Sequence, residues 1–377
     1  MRIGITCYPT FGGSGVVATE LGIALANRGD EVHFISYALP SRLNMMAGHE
    51  RIRFHEVTVT NYPLFDPYPP YMLALATKMA EVADYEKLDI LHVHYAIPHA
   101  VSAHLASEIV SSRKLKFITT LHGTDITLVG RDASYLPITR FSIDVSDGIT
   151  AVSQWLRDET ITHFGTKKNI EVIPNFVDPA RFRRHESPYA RLLGDTGDKL
   201  LCHVSNFRPV KRIMDVLAVF QRVARVVPSR LAMIGDGPDR SRAEAWCRDH
   251  GLRDRVFFLG NVPNLEEILG GVNLFLLPSE AESFGMAALE AMASEVPVIG
   301  TAAGGMPEVV VDGETGYLLP VGDVESMAVR AVEILSDTRL ERRLGRAGRE
   351  VAEEKFHVDR VVPLYREYYE RVIAGTG

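Results

Sequence analysis

Pro278-Ser279-Glu280-Ala281-Glu282-Ser283-Phe284-Gly285-Met286-Ala287-Ala288-Leu289-Glu290 is the stretch from which the fold is most readily read. It follows an apolar, strand-like run ending at Leu277. Its loop carries Glu282, and a helix is expected from near Gly285, holding Glu290. Two carboxylates thus frame a helix N-terminus. A carboxylate accepts hydrogen bonds from two neighbouring hydroxyls, as sugars and riboses present them, and the first-turn amides of Phe284, Gly285 and Met286 offer further donors. The bland alternative makes Glu282 a helix-start acid favoured by the dipole and Glu290 a solvated helix residue.

Outward from this segment the same strand, turn and helix theme recurs. Strands are expected at Leu200 to Val204, Arg230 to Ile234, Arg255 to Phe258, Leu274 to Leu277 and Val298 to Gly300, with helices between them. The first half repeats it at Ile3 to Cys7, Glu31 to Ser36, Ile52 to Val57, Ile90 to Val93, Phe117 to Leu121, Gly148 to Val152 and Ile170 to Ile173. Helices are expected near Val16 to Asn27, Tyr71 to Glu86, Ala100 to Ser111 and Gln154 to His163. Several strands are apolar on both faces, as central parallel strands covered by helices should be. The fold class is therefore α/β, with two Rossmann-like, doubly wound domains whose ligand edges lie at the carboxyl ends of the strands.

The turn-rich run Ile173-Pro174-Asn175-Phe176-Val177-Asp178-Pro179 suits a crossing between domains. Residues 1–172 then form an N-terminal domain and 173–356 a C-terminal one. Residues 357–377 are expected to form a helix packing back toward the first. A chain of 377 residues is long enough for two cores. The formal net charge of -7 argues against wrapping nucleic acid. Cys7, Cys202 and Cys247 show no paired spacing, so no disulfide framework is expected and a reducing cytoplasm fits. Met1 runs straight into a strand-like segment with no leader pattern, and no apolar run is long enough to span a bilayer.

After the first strand, Pro9-Thr10-Phe11-Gly12-Gly13-Ser14-Gly15 leads into a helix, a loop that brings backbone amides close to an anion. Gly13-x-Gly15-x-x-Ala18 also matches the dinucleotide fingerprint, which makes an NAD-dependent oxidoreductase the competing reading. That fingerprint calls for an acid at the end of the second strand, where this chain has Ile35-Ser36-Tyr37, and a Walker-type Gly-Lys-Ser/Thr is lacking too. A tight turn without a ligand is the structural alternative. His92, His94 and His99 sit around one strand end, with His92 and His94 expected on one face, but no third ligand is evident. They are read as core or acceptor-cleft histidines, and no metal site and no cofactor are expected.

The segment Glu-Ser-Phe-Gly-Met-Ala-Ala-Leu-Glu, with seven residues between Glu282 and Glu290, resembles the signature of the large retaining glycosyltransferase family with the two-domain GT-B fold, whose domains face across a cleft. Leu121-His122-Gly123-Thr124-Asp125, Ile173-Pro174-Asn175, Pro209-Val210-Lys211, Gly235-Asp236-Gly237-Pro238 and Gly304-Gly305-Met306-Pro307-Glu308 agree, in the family's order. The resemblance implies that Glu290 holds the donor ribose, that Glu282 with the following amides holds the sugar hydroxyls, that Lys211 neutralises the diphosphate, and that His122 lies beside the transferring sugar. A leaving diphosphate develops charge that fixed cations and amides must meet, and Lys211, read as beginning a helix within a short cationic cluster, suits that task. Gly15 joins the donor residues. The family's arginine five residues before the lysine falls on Asn206 here, which leaves Arg208 to reach the phosphates. Enzymes of this kind need no divalent ion, and no Asp-x-Asp pair is apparent.

Within that family, Gly4-Ile5-Thr6-Cys7-Tyr8-Pro9-Thr10, His92-Val93-His94-Tyr95-Ala96-Ile97-Pro98-His99-Ala100 and Ser205-Asn206-Phe207-Arg208-Pro209-Val210-Lys211-Arg212 are similar to the bacterial subgroup that joins N-acetylglucosamine to L-malate in bacillithiol synthesis. This implies UDP-N-acetylglucosamine (UDP-GlcNAc) as donor, L-malate as acceptor, retained configuration and a homodimer. A dicarboxylic acceptor needs amides, hydroxyls and cations, and Ser14, Gly15, Tyr95, Thr120 and Gln154 lie at expected strand ends or helix starts. Each of these also suits a capping or turn role.

Overall fold

The computed structural model describes residues 1–9, 12–40, 42–43, 49–59, 70–187, 189 and 197–376. Thr10 and Phe11 of the glycine loop lie outside the described residues. The chain divides into two compact units, residues 1–174 with 359–377, and residues 175–358.

The first unit is built on β1 (Arg2–Thr6), β2 (Glu31–Ser36), β3 (Ile52–Glu56), β4 (Ile90–His94), β5 (Lys116–Leu121), β6 (Gly148–Ala151) and β7 (Glu171–Val172). They pair in parallel in the order β3-β2-β1-β4-β5-β6-β7. Helices Gly13–Asn27, Tyr71–Tyr85, Val101–Ile109, Leu136–Val145 and Gln154–Phe164 follow strands. Parallel strands need such crossovers, and helices on the faces explain why β1, β4, β5 and β6 are almost wholly buried. One core layer packs Leu75, Met79 and Val82 of the second helix on Ile35, Leu91, Val93 and Phe117. Each such side chain contributes about 1.5–3 kcal/mol when fully buried.

The helix Val358–Ala374 closes the chain, and from Asp359 onward it belongs to this first unit. Its tyrosines fasten it there. The Tyr368 hydroxyl accepts from Ile149 N at 2.7 Å and donates to Ile149 O at 3.1 Å. The Tyr369 hydroxyl lies 2.8 Å from His92 Nδ1.

The second unit carries β8 (Lys199–Val204), β9 (Ser229–Ile234), β10 (Val256–Gly260), β11 (Leu274–Leu277), β12 (Val298–Thr301) and β13 (Gly316–Leu319). All pair in parallel, in the order β10-β9-β8-β11-β12-β13. Ile213, Val216, Leu217 and Phe220 of the helix after β8 fill the core with Leu201, Leu231, Leu274 and Ile299.

In each sheet the order reverses at one place, between β1 and β4 in the first and between β8 and β11 in the second. Loops leaving the carboxyl ends of those two strands diverge to opposite faces, and the crevice they leave is where doubly wound sheets bind ligands. The expected strands are all present, though that at Ile170 to Ile173 is only Glu171–Val172. β13 and the helix Leu136–Val145 are additions to the expected elements. No helix among the described residues is long and apolar enough to cross a membrane.

Candidate active site

In the second unit the reversal point sets the loop after β8, which carries Lys211, beside the loop after β11, which carries Glu282. Lys211 Nζ stands 2.6 Å from Glu282 Oε1, and Ser279 Oγ donates to that same oxygen at 2.7 Å. The loops are also joined through their backbones, Glu280 N donating to Val210 O at 2.8 Å. A third loop, after β12, supports the acid from behind, with Gly305 N donating to Glu282 O at 2.7 Å. Gly304 has φ +66°, and a Cβ there would fall 2.0 Å from Glu282 O. Only glycine fits that approach.

Lys211 does not begin the helix, as expected from sequence. It ends a 3₁₀ turn, Pro209–Lys211, and the helix runs Ile213–Val223. Two short-range bonds make the difference, Lys211 N to Arg208 O at 2.8 Å and Arg212 N to Pro209 O at 2.9 Å, after which Arg212 adopts left-handed backbone at φ 49°. The lysine therefore stands ahead of the helix rather than within its first turn. Phe207 anchors the same loop. It is fully buried, its N–H reaches Ser205 Oγ at 3.2 Å, and its flanking Asn206 and Arg208 are exposed.

His203 was not among the expected site residues, yet it ties the reversal point together. Its Nδ1 lies 2.8 Å from Leu276 O on β11 and its Nε2 2.8 Å from Ser205 Oγ. Burial pushes its pKa down to about 4, so it is neutral near pH 7. Its signal was present in the sequence, as a histidine inside an apolar strand just before the cationic loop.

Beyond Glu282, Phe284 is buried with its ring 5.5 Å from that of Phe356 in an edge-on contact. Gly285 caps the helix Met286–Ala293 in left-handed backbone at φ 97°. Glu290, in that helix, is only 5% exposed, which removes the reading of a solvated helix acid. The second unit thus brings Lys211, Glu282 and Ser279 into one contact, with Asn206 and Arg208 on the lysine loop and Phe284, Gly285, Met286 and Glu290 along the following helix.

In the first unit the corresponding point gathers histidines. His94 Nδ1 lies 2.8 Å from His122 Nε2, their rings stacked 5.0 Å apart, and His92 stacks on His94 at 4.3 Å. Burial holds all three neutral, with His92 and His122 pushed down to about 3 and His94 pushed well below the usual imidazole value by burial and its histidine neighbours. Tyr95 has φ 85°, its N–H bonded to Thr120 O at 2.9 Å and its ring 5.3 Å from that of His122. Asp125 braces this corner. One carboxylate oxygen accepts from His122 N at 3.3 Å and Gly123 N at 3.0 Å, the other from Ala96 N at 2.9 Å.

The expected acceptor residues separate in this unit. Tyr95, Thr120 and His122 come together, but Thr120 is fully buried and its hydroxyl is shared between His92 Nε2 at 2.6 Å and Thr150 Oγ1 at 2.7 Å. Ser14 and Gly15 begin the helix after β1, the strand beside β4. Gln154 is the exposed first residue of the helix after β6, with Ser153 as its cap at 3.1 Å from Leu156 N. Gly13 is exposed, and a Cβ on it would meet nothing, so the glycine that opens the dinucleotide fingerprint is not required by space.

The family described as glycosyl transferases group 1 matches residues 190–351, and glycosyltransferase family 4 matches residues 11–181. N-acetyl-alpha-D-glucosaminyl L-malate synthase of Bacillus anthracis is 48% identical, over 99% of this chain and 97% of that protein. The chain belongs to glycosyltransferase family 4, group 1. Two solved structures show the same GT-B fold. Sucrose-phosphate synthase from Thermosynechococcus elongatus aligns at TM-score 0.81 and 20% identity, over 99% of both chains. Anabaena HepE in complex with UDP-glucose aligns at 0.83 and 20%, over 98% of this chain and 99% of that one. For this glycosyltransferase the oxidoreductase reading of Gly13-x-Gly15-x-x-Ala18 falls away, because each half of the chain matches a glycosyltransferase family and no acid ends β2.

Proposed function

We propose that this glycosyltransferase moves N-acetylglucosamine from UDP-GlcNAc to the hydroxyl of L-malate, retaining the anomeric configuration, as a cytoplasmic enzyme. The observation that carries the chemistry is the Lys211–Glu282 contact at the reversal point of the second sheet. The similarity to the Bacillus anthracis synthase supports the choice of sugar and acceptor. Three free, buried cysteines accord with a reducing compartment.

In this account residues 173–356 hold the donor and residues 1–172 the acceptor. Glu290 accepts from the ribose hydroxyls, and Glu282 with the amides of Phe284, Gly285 and Met286 holds the sugar. Lys211, with Arg208, Asn206 and the amide of Gly15, meets the diphosphate. Donor binding draws Lys211 away from a full ion pair and toward phosphate, and Ser279 keeps Glu282 hydrogen-bonded meanwhile. Ser14, Tyr95 and Gln154 serve the acceptor carboxylates, and Thr120, whose buried hydroxyl is shared with His92 and Thr150, positions Tyr95 by accepting from its N–H. His122, neutral through burial, offers hydrogen bonding to the transferring sugar without adding charge.

The C1–O bond to the diphosphate breaks as the malate oxygen bonds to C1 on the same face. The malate hydroxyl proton passes to the departing phosphate, so no enzyme nucleophile is consumed. The charge that develops is met by Lys211 and backbone amides. Turnover is expected to persist in EDTA, and the active species to be a homodimer by light scattering. The test is thermal protection of the protein by UDP, GDP, ADP and NAD, followed by UDP release from UDP-GlcNAc with malate, lactate or water. UDP should protect most and malate should drive release. Preference for NAD or a purine diphosphate, or equal release with lactate, would overturn the assignment.

A further inference from the structure

Away from the residues used above, His33 on β2, His55 on β3 and Glu86, which caps the helix Tyr71–Tyr85, offer ligand atoms all within 4.8 Å of one another. His33 Nδ1 lies 3.0 Å from His55 Nε2, and the rings stack 5.2 Å apart. We propose that these three side chains form a transition-metal site, with zinc as the best-matched ion, which fastens the edge strand β3 to β2 and to the end of that helix.

The geometry argues for an ion in three ways. Two imidazole nitrogens on a tetrahedral zinc stand about 3.3 Å apart, given Zn–N lengths of about 2.0–2.1 Å. The observed 3.0 Å separation is close to that, so exchanging the hydrogen bond for an ion requires the rings to turn toward a common centre but hardly to separate. Two imidazoles and a carboxylate suit zinc, and three protein ligands leave one position for water. Thirdly, His33 is 1% exposed, so its orientation is set by the sheet and is not that of a solvated surface ring.

The surroundings leave both rings neutral and ready as ligands. Burial lowers His33 to about 4 and also lowers His55. The charged neighbours are Glu86, Arg53 and Glu31 around His33, and Glu86, Lys78, Arg53 and Glu81 around His55. Arg53, half-exposed, lies 3.0 Å from Glu86 Oε2 and is the competitor that an ion must displace. A solvent-screened pair of that kind is weak. β3 is an edge strand, so cross-linking it would brace that edge of the sheet.

The test uses the intact chain after EDTA treatment, titrated with Co²⁺ and read by visible absorption, with Zn²⁺ as displacing ion. Expected are a single saturable Co²⁺ equivalent with ligand-field bands, its displacement by Zn²⁺, and binding weakened at least ~10-fold in His55→Ala and Glu86→Gln, the loss that even an outer partner produces. His163→Ala, a histidine elsewhere in the same unit, should bind as wild type. A thiolate charge-transfer band, affinity unchanged in His55→Ala and Glu86→Gln, or no saturable binding would overturn the site.

Discussion

Glu282 Oε1 receives both the Lys211 ammonium at 2.6 Å and the Ser279 hydroxyl at 2.7 Å, so one carboxylate oxygen joins the two loops at the reversal point of the second sheet. The pair is mostly shielded, with Lys211 21% and Glu282 10% exposed at the side chain. Two opposite charges there are held ready for a ligand that brings both phosphate and hydroxyls.

Replacing Lys211 by Ala should lower kcat/KM about 10²–10³-fold, the scale seen when one fixed donor to developing charge is removed. Glu282→Gln keeps the shape but loses the charge and should weaken donor use less than Glu282→Ala. Steady-state UDP release checks this, with circular dichroism to show that the fold survives. Lys211→Ala activity within about threefold of wild type would remove the lysine from the phosphate role.

Gly304→Ala should destabilise the second unit by at least ~2 kcal/mol, since the added Cβ meets Glu282 O at 2.0 Å and the backbone is left-handed. The same change pushes Glu282 off its support from Gly305, so KM for the donor should rise more than kcat falls. Urea denaturation and donor titration separate the two effects.

Asp125 touches no expected ligand but braces His122 and Ala96 through three backbone N–H groups. Burial pushes its pKa up to about 6 against the pull of those hydrogen bonds. Protonation puts an O–H where an acceptor is needed, so kcat should fall on the acid side with an apparent pKa near 6. Asp125→Asn sets an amide against the same N–H groups at a cost of about 1–3 kcal/mol. It should lower kcat at every pH and abolish that acid limb.

The buried histidines make the first unit acid-labile. His92 and His122 are lowered to about 3 and His99 to about 4, against 6.5 when unfolded, so the unfolded chain binds more protons between those limits. Their contribution is fully present above pH 6.5 and is lost as pH falls through the folded values. Asp125 opposes them, its raised value favouring the fold at low pH, but it is one group against several. Stability measured by urea denaturation should therefore rise with pH from about 4 to 6.5. A flat or falling profile would show these rings charged in the fold.

Much of this was legible from the sequence because parallel strands covered by helices leave plain apolar runs. The segment from Leu274 to Glu290 reads as strand, loop and helix and is so built. β13 escaped notice since it is four residues beginning at Gly316, a weak strand signal. The helix Leu136–Val145 was obscured because Leu136, Ile138 and Phe141 are exposed, which blurs its apolar periodicity. Strand order is written in no local pattern, so in the sequence the meeting of Lys211 with Glu282 rests on resemblance, and it is the sheet order that brings their loops together. Nor could spacing reveal His33, His55 and Glu86, which three separate elements bring together. Thr120 looked available as a strand-end hydroxyl, yet its hydroxyl is shared with His92 and Thr150 inside the sheet.

The most direct test of the account is proton NMR of the enzyme with UDP-GlcNAc and L-malate, following the anomeric signal as the donor is consumed. The account predicts an α-linked N-acetylglucosaminyl malate formed together with UDP, and the same signal growing at least ~100-fold more slowly with Lys211→Ala. A β-linked product, or free N-acetylglucosamine alone at a rate indifferent to malate, would contradict it.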